Sequence, residues 1–375
     1  MSSRPLRVQV VDPSAFTPPY DHALCAALAH AGAEVELVTS RFAYGPVARA
    51  DGYAVTDAFY RIAAGAAGSR TRRAAKLAQH VPDMLRYARG PARRADVVHF
   101  QWLTVQPLDV HLLPRRVPLV LTAHDVLPRQ PRPGQLRAQR RLYERVDAVV
   151  VHSEHGAARL RDELGIDPAK VHVLPHGAFA HLADRPLGDR ALPPELAAVE
   201  QPVVLCFGLI RPYKGIDVLL DAWRGISDAE LWIVGLPKMD LAPLRAAAPR
   251  GVRFVPRFVA DDEIAPFFHR AELVVLPYRE IDQSGVLATA LAFGSPLLLT
   301  DVGGFPEVAA TGAAELVPPG DAPALHAALA RLLADPAARD RLAAAAHAAA
   351  RPGGPFAWDA IAAQHLALYR TLAGG

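Results

Sequence analysis

The chain has 375 residues, of which 51% are hydrophobic and 21% charged, with a formal net charge of +3 and two cysteines. That length exceeds one ordinary hydrophobic core, so two domains are expected, and no run of about 18 or more residues escapes charges and Pro or Gly breakers, which excludes a transmembrane helix. Cys25 and Cys206 lie far apart in the sequence, which excludes a disulfide framework and suits a reducing compartment.

The N-terminal MSSRPLRVQVV reaches an apolar strand almost at once, without a signal-peptide core or cleavage site, so a cytoplasmic protein is expected. The small net charge hides an asymmetry. Up to Ala183 there are 24 Lys and Arg against 16 Asp and Glu, and beyond it 17 against 22. The basic excess gathers in residues 70–94 and 129–145. Such a surface suits an anionic or lipid-linked acceptor, or peripheral contact with the inner face of a membrane; it also reads as an ordinary solvated Arg-rich helix face. Few aromatics interleave with these arginines, so nucleic acid is not an expected partner.

Short apolar runs alternate with helical patterns throughout, the signature of parallel sheets flanked by helices, so the fold class is α/β. In the first half, strands are predicted at Leu6–Val11, Glu34–Thr39, Val97–Phe100, Leu119–Thr122, Ala148–Val151 and Val171–Leu174. Between the first two, Tyr20–Ala31 places Leu24, Ala27, Leu28 and Ala31 in a helical pattern and stops at Gly32, a C-cap signal. Residues 184–202 hold four prolines and read as linker and surface loop. A second series is predicted at Val203–Phe207, Leu231–Val234, Val252–Val255, Leu273–Leu276, Leu297–Thr300 and Glu315–Val317. Asp335 and Pro336 start another helix as N-cap and first-turn proline, the alanine-rich 342–350 continues it, and the Pro-Gly-Gly-Pro of 352–355 ends it. Beyond, Trp358, Ile361, Ala362, Leu366 and Tyr369 share one face of a last helix, expected to return to the first domain. The expected organisation is a Rossmann-like N-terminal domain over 1–183, a linker over 184–200, a second Rossmann-like domain over 201–354 and a return helix within 355–375.

Two segments carry chemistry. In FGLIRPYKGIDVLLDAW (207–223) a strand ends in Gly208 and a loop presents Arg211 and Lys214. Two cations just past a strand's carboxyl end sit where open α/β sheets bind ligands, and both suit the oxygens of a pyrophosphate. Ordinary surface charges are the alternative. In LPYREIDQSGVLATALAFGSPLLLTDVGGFPEV (276–308), Ser284 and Gly285 open a helix whose free N–H groups favour an anion, and Gly303 and Gly304 permit close backbone approach. Taken singly, these also read as a cap and a turn.

Together the segments resemble the retaining glycosyltransferases of sequence family 4, of the GT-B type. The family's strand-Gly-Arg-Lys-Gly segment is matched by Gly208, Arg211, Lys214 and Gly215. Its small-residue helix, Gly-x-Pro strand and Gly-Gly-x-Pro-Glu loop are matched by Ala290–Pro296 and Gly303–Glu307. In the first half the resemblance is carried by DVVHFQW (96–102), LTAHDVLP (121–128), DAVVVHSE (147–154) and KVHVLPHG (170–177). PFAWDAIAAQHLALY (355–369) looks like the family's return helix.

The resemblance implies two doubly wound domains facing across a cleft, with a nucleoside diphosphate sugar on the second and the acceptor on the first. It implies that Arg211 and Lys214 neutralise the departing diphosphate, helped by backbone N–H groups of Ser284, Gly285 and Val286. It sets His124 near the reacting sugar, although His124 also reads as a structural histidine bonded to Asp125. The base is expected near Arg257, Phe258 and Val259. On the acceptor side, Trp102 lines the site or belongs to the core, and Tyr20 follows a Thr-Pro-Pro loop that shapes it. His99 is a further acceptor-side candidate, but for His99, His152, His172 and His176 a structural role is the preferred reading.

One departure matters. The family's pair of glutamates would fall on Ile281 and Thr289, so both carboxylates are missing. Glu280 and Asp282 flank the first position, and Gln283–Val286 match a Gln-Ser-Gly-Val branch that manages without the pair. Thr289, Gln283 and the two flanking acids are therefore counted with Gly208 among the donor-binding candidates. The expected reaction moves a hexose-like sugar to an acceptor hydroxyl with retention, by front-face attack, with neither cofactor nor metal. Two alternatives stand: another sugar-nucleotide reaction on the same frame, such as epimerisation or phosphorolysis, and an inactive scaffold subunit.

Overall fold

The computed structural model describes residues 4–43, 45, 47–62, 69–103, 105–128, 131–184 and 192–374. The chain divides into two units, Met1–Pro175 with Trp358–Gly375, and His176–Ala357.

The N-terminal unit holds seven strands: β1 Arg7–Asp12, β2 Glu34–Thr39, β3 Ala54–Asp57, β4 Val97–Phe100, β5 Leu119–Thr122, β6 Ala148–Val151 and β7 Val171–Val173. They form one parallel sheet in the order β3-β2-β1-β4-β5-β6-β7. β4, β5 and β6 are short runs buried along their whole length, as a parallel sheet covered on both faces requires. β3 is the strand that the pattern does not announce. Its sequence AVTD lies at the sheet edge with Val55 43% exposed, so no apolar run was needed to form it. The first helix begins at Pro18, before the expected Tyr20, because proline fits a helix's first turn.

The last helix, Trp358–Gly374, packs on the helix Pro18–His30 and on β4 within this unit. It buries Ile361, His365, Leu366 and Tyr369. Tyr369 Oη lies 2.6 Å from His99 Nδ1, and His99 Nε2 lies 2.7 Å from Thr122 Oγ1. His99 is therefore a core residue beneath the last helix rather than an acceptor-side group.

The second unit holds β8 Val203–Phe207, β9 Glu230–Val234, β10 Val252–Val255, β11 Leu273–Leu276, β12 Leu297–Thr300 and β13 Ala314–Val317. They form a parallel sheet ordered β10-β9-β8-β11-β12-β13. The chain runs from β8 outward to β10, then returns to place β11 on the other side of β8. That reversal opens a crevice at the carboxyl ends of β8 and β11, the usual ligand position in such sheets. Residues 176–183, expected in the first domain, belong here. Ala178 N–H donates to the Phe356 carbonyl (2.9 Å) and Phe179 N–H to the Ala288 carbonyl (3.2 Å), while Ala178 and Leu182 join the core with Leu196 and Val199. Of the expected linker, residues 185–191 lie outside the described residues. Among the described residues, no helix is long and apolar enough to cross a membrane.

Burial holds His99 well below the ordinary histidine pKa, and His152 and His365 down to about 4. The unfolded chain takes up protons at these sites below about pH 6.5 while the folded chain does not, so their contribution to stability falls as pH drops towards about 4, by up to about 1.4 kcal/mol per pH unit for each. His365 Nε2 is buried without a hydrogen-bond partner, so His365→Leu removes one such group at little polar cost. Urea midpoints at about pH 7 and about pH 5 should differ less in His365→Leu than in wild type. An equal difference would mean that His365 already carries its proton when folded.

Candidate active site

In the C-terminal unit the site is built where the strand order reverses. β8 is followed by Gly208, whose φ is +104° and whose N–H donates to the Val234 carbonyl at 2.9 Å. A Cβ there would stand 2.7 Å from Val286 Cγ2 and 3.2 Å from Lys214 Nζ. Only glycine lets both approach the strand end. The 3-10 turn Pro212–Lys214 brings Lys214 back towards the sheet, where it is 5% exposed. Its Nζ donates to Tyr278 Oη at 2.6 Å and lies 4.4 Å from that ring's centroid. Tyr278 follows β11, so this contact joins the loops of the two strands at the reversal. Burial pushes the Tyr278 hydroxyl pKa up, and a hydrogen bond with Ser284 works in the opposite direction.

Ser284 caps the helix Gly285–Ala292, its Oγ accepting from Leu287 N–H at 3.3 Å. Arg279 makes a two-pronged contact with Asp217 at 2.8 and 2.6 Å and donates to the Pro212 carbonyl at 3.0 Å. The guanidinium holds the Asp217 carboxyl below its ordinary range. Gly303, at φ +56°, packs its loop so closely that a Cβ would lie 1.8 Å from the Ile281 carbonyl oxygen.

Two polar atoms on these loops, Arg211 Nε and Gln283 Oε1, are buried without a protein partner. Asp282 is buried and Glu280 exposed on the same loop. Other donor-side candidates are placed differently from expectation. Thr289 lies inside the helix, 6% exposed, and donates to the Gly285 carbonyl at 2.9 Å. Val259 is in the buried cluster with Phe267 and Phe268, so its side chain offers no surface to a base. Arg257 is paired with Glu263 at 3.0 Å. Phe258 is 60% exposed, and the Arg257 side chain 41%.

In the N-terminal unit, His124 follows β5 and is 2% exposed. Its Nε2 lies 3.0 Å from Gln101 Oε1 and its Nδ1 3.3 Å from His152 Nε2. Trp102 stacks on it at 5.0 Å and 14°, and Tyr20 meets it edge-on at 4.7 Å. His152 Nδ1 lies 3.0 Å from the Leu174 carbonyl, which makes that nitrogen the proton carrier and leaves His152 Nε2 as acceptor for His124 Nδ1–H. As placed, Gln101 turns its Oε1 to His124 Nε2 and leaves its own Nε2 buried without a hydrogen-bond partner; turning the amide over would pair that Nε2 with His124 instead. Tyr20, 1% exposed, supports His124 from the protein side and is not an acceptor-lining residue. Trp102 is half-buried; its Nε1–H donates to Thr17 Oγ1 at 2.9 Å, and its ring packs 4.7 Å from the exposed Phe16.

Tyr278, Gln101 and the Arg279–Asp217 brace escaped the sequence reading, because each acts through a partner distant in the chain and belongs to no spaced motif. His152 was visible only as a structural histidine, yet it orients His124.

Residues 19–177 match the family described as glycosyl transferase 4-like domain, and residues 201–335 match glycosyl transferases group 1. The D-inositol 3-phosphate glycosyltransferase of Jonesia denitrificans is 30% identical over 304 residues, covering 73% of this chain and 71% of that protein. A GDP-mannose:glycolipid 4-beta-D-mannosyltransferase of Xanthomonas campestris pv. campestris is 28% identical over 228 residues, covering 55% of this chain and 61% of that protein. Among solved structures, sucrose-phosphate synthase of Thermosynechococcus elongatus has a TM-score of 0.76 at 22% identity, covering 98% of this chain and 99% of that one. Anabaena HepE in complex with UDP and glucose has a TM-score of 0.70 at 19% identity, covering 98% and 100%.

If close approach is what Gly303 provides, Gly303→Ala should lower stability by about 2 kcal/mol or more, beyond the backbone strain of positive φ alone. Gly320, at φ +77° with nothing within 4 Å of a Cβ, supplies the control. Urea denaturation should rank Gly303→Ala well below Gly320→Ala, and equal losses would rule out the contact.

Proposed function

The chain belongs to the group 1 glycosyltransferases, of sequence family 4 and GT-B fold, and on that premise we propose that its C-terminal unit binds a nucleoside diphosphate sugar and its N-terminal unit the acceptor. The observation that carries this reading is the buried Lys214 ammonium held against Tyr278 at the strand reversal. On the same loops Arg211 Nε and Gln283 Oε1 lack protein partners, and the helix Gly285–Ala292 begins there. Two cations and a helix N-terminus at the carboxyl edge suit a diphosphate.

As the bond from the sugar's anomeric carbon to the diphosphate breaks, negative charge grows on the leaving oxygens. Arg211, Lys214 and the N–H groups of Gly285 and Val286 lower the energy of that charge where it forms, without a metal ion. The acceptor hydroxyl attacks from the face the diphosphate leaves, its proton passes to a phosphate oxygen, and the anomeric configuration is retained. Glu280, exposed beside the buried Asp282, is the carboxylate best placed for a sugar hydroxyl. His124, fixed by His152, serves the acceptor side. The names of similar proteins support the donor class, since the Anabaena structures hold UDP or UDP-glucose and the Xanthomonas enzyme is named for GDP-mannose.

Thermal unfolding of the full chain with a panel of nucleoside diphosphates and their sugar conjugates should give a stabilising shift with one base above the others. Arg211→Ala with Lys214→Met should abolish the shift and lower kcat by roughly a hundredfold or more. With the selected donor, turnover should survive EDTA, and NMR of the first-formed product should show the donor's anomeric configuration. A shift that persists in the double variant would sink the assignment of the diphosphate to these two cations, and an inverted product would sink front-face retention.

A further inference from the structure

The carboxyl edge of the N-terminal sheet carries a second polar site, reached along the loop after β1. β1 ends at Asp12, whose carboxylate fastens that loop by accepting from the backbone N–H groups of Ser14 (3.1 Å), Phe16 and Thr17 (3.2 Å). β2 ends at Thr39, whose hydroxyl donates to the Asp12 carbonyl at 2.8 Å, so the chain leaving β2 starts beside the same loop. Between Ser14–Ala15, the segment Arg41–Ala43 and the first turns of the helix Arg70–Arg89 lies a cavity of about 150 Å³. Arg41, Arg72, Arg73 and Lys76 line it, and among the described residues no carboxylate lines it.

The cluster is built by local rules. Ser69 caps the helix, its Oγ accepting from Arg72 N–H at 3.2 Å, and spacings of three and four residues bring Arg72, Arg73 and Lys76 to neighbouring positions. Lys76 is anchored, with Nζ 4.8 Å from the centroid of Tyr60. Tyr60 Oη is held by His80 Nδ1 at 2.7 Å, and His80 Nε2 by Asp109 at 2.5 Å. Burial and the charge of Arg72 lower the Lys76 pKa, while the nearby Asp12 raises it. Asp12 is committed to its own loop. Cations gathered around one concavity repel one another, and a bound anion relieves that repulsion.

We propose that this cavity binds a phosphate group carried by the acceptor, with Arg41, Arg73 and Lys76 supplying charge and Ser14 a hydroxyl. The identification of the bearer as the acceptor rests on the glycosyltransferase reading above; the binding of phosphate does not. A cation-lined concavity of this size favours one phosphate group over a diffuse anionic surface. The phosphate can sit on a soluble molecule or on a lipid.

The test uses the full chain carrying Arg211→Ala and Lys214→Met, so that the nucleotide site does not contribute. Inorganic phosphate, titrated at constant ionic strength and followed by calorimetry, should bind saturably. Adding Arg73→Ala with Lys76→Met should weaken that binding about tenfold or more, and so should the exposed pair Arg41→Ala with Arg73→Ala. No saturable binding, or binding indifferent to both pairs, overturns the proposal. Sedimentation with phosphatidylcholine vesicles containing phosphatidic acid separates the sources. Vesicle binding lost on the same replacements assigns the phosphate to a lipid, and phosphate binding without vesicle binding assigns it to a soluble acceptor. With the nucleotide site disabled throughout, failure here leaves the reading of Arg211 and Lys214 standing.

Discussion

The C-terminal unit depends on one contact, the Lys214 ammonium bonded to Tyr278 Oη and facing its ring. Burying a cation costs several kcal/mol unless polar or π partners compensate. The compensation here comes from a residue following β11, so the loop after β8 cannot relax without losing it. The Arg279–Asp217 pair makes a second tie between the same loops on their exposed side. Gly208 is the permissive element, since any side chain there would push Val286 or Lys214 away. The sheet's reversal, the cation and the helix N-terminus are thus one construction.

The N-terminal unit is organised by directional hydrogen bonds among buried polar groups. The Leu174 carbonyl sets the tautomer of His152, His152 places a proton on His124 Nδ1, and Gln101 completes the row. Because burial keeps His152 neutral, the row has one sense. Nearby, Asp12 and Asp21 share a buried hydrogen bond, and desolvation raises both, Asp21 the further. A protonated Asp21 can donate to Asp12, which leaves Asp12 free to hold the backbone of the loop that supports Trp102 and borders the basic cavity. One carboxylate thereby positions parts of both polar sites on this edge.

Much of the architecture was legible from local chemistry. Runs such as VVLCF, LVVL and LLLT announce the buried parallel strands β8, β11 and β12. β3 stayed hidden because an edge strand needs little burial, and the start of the second unit was misplaced because Ala178 and Leu182 are apolar enough for either core. Among candidate residues, Arg211, Lys214, Ser284 and His124 fall at strand or helix ends where the pattern put them. Val259, Thr289, His99 and Tyr20 are turned into the protein interior, since a sequence window does not show which side of an element meets the core.

The sequence by itself determined what is local: strand and helix periods, proline and glycine breaks, caps, and the residue types carried by each loop. Tertiary structure alone decided which loops meet. Lys214 and Tyr278 are 64 residues apart, and His99 and Tyr369 are 270 apart. Those meetings follow from strand order and from the docking of the last helix, and both are set by the packing of whole surfaces rather than by the conformational preference of any one segment.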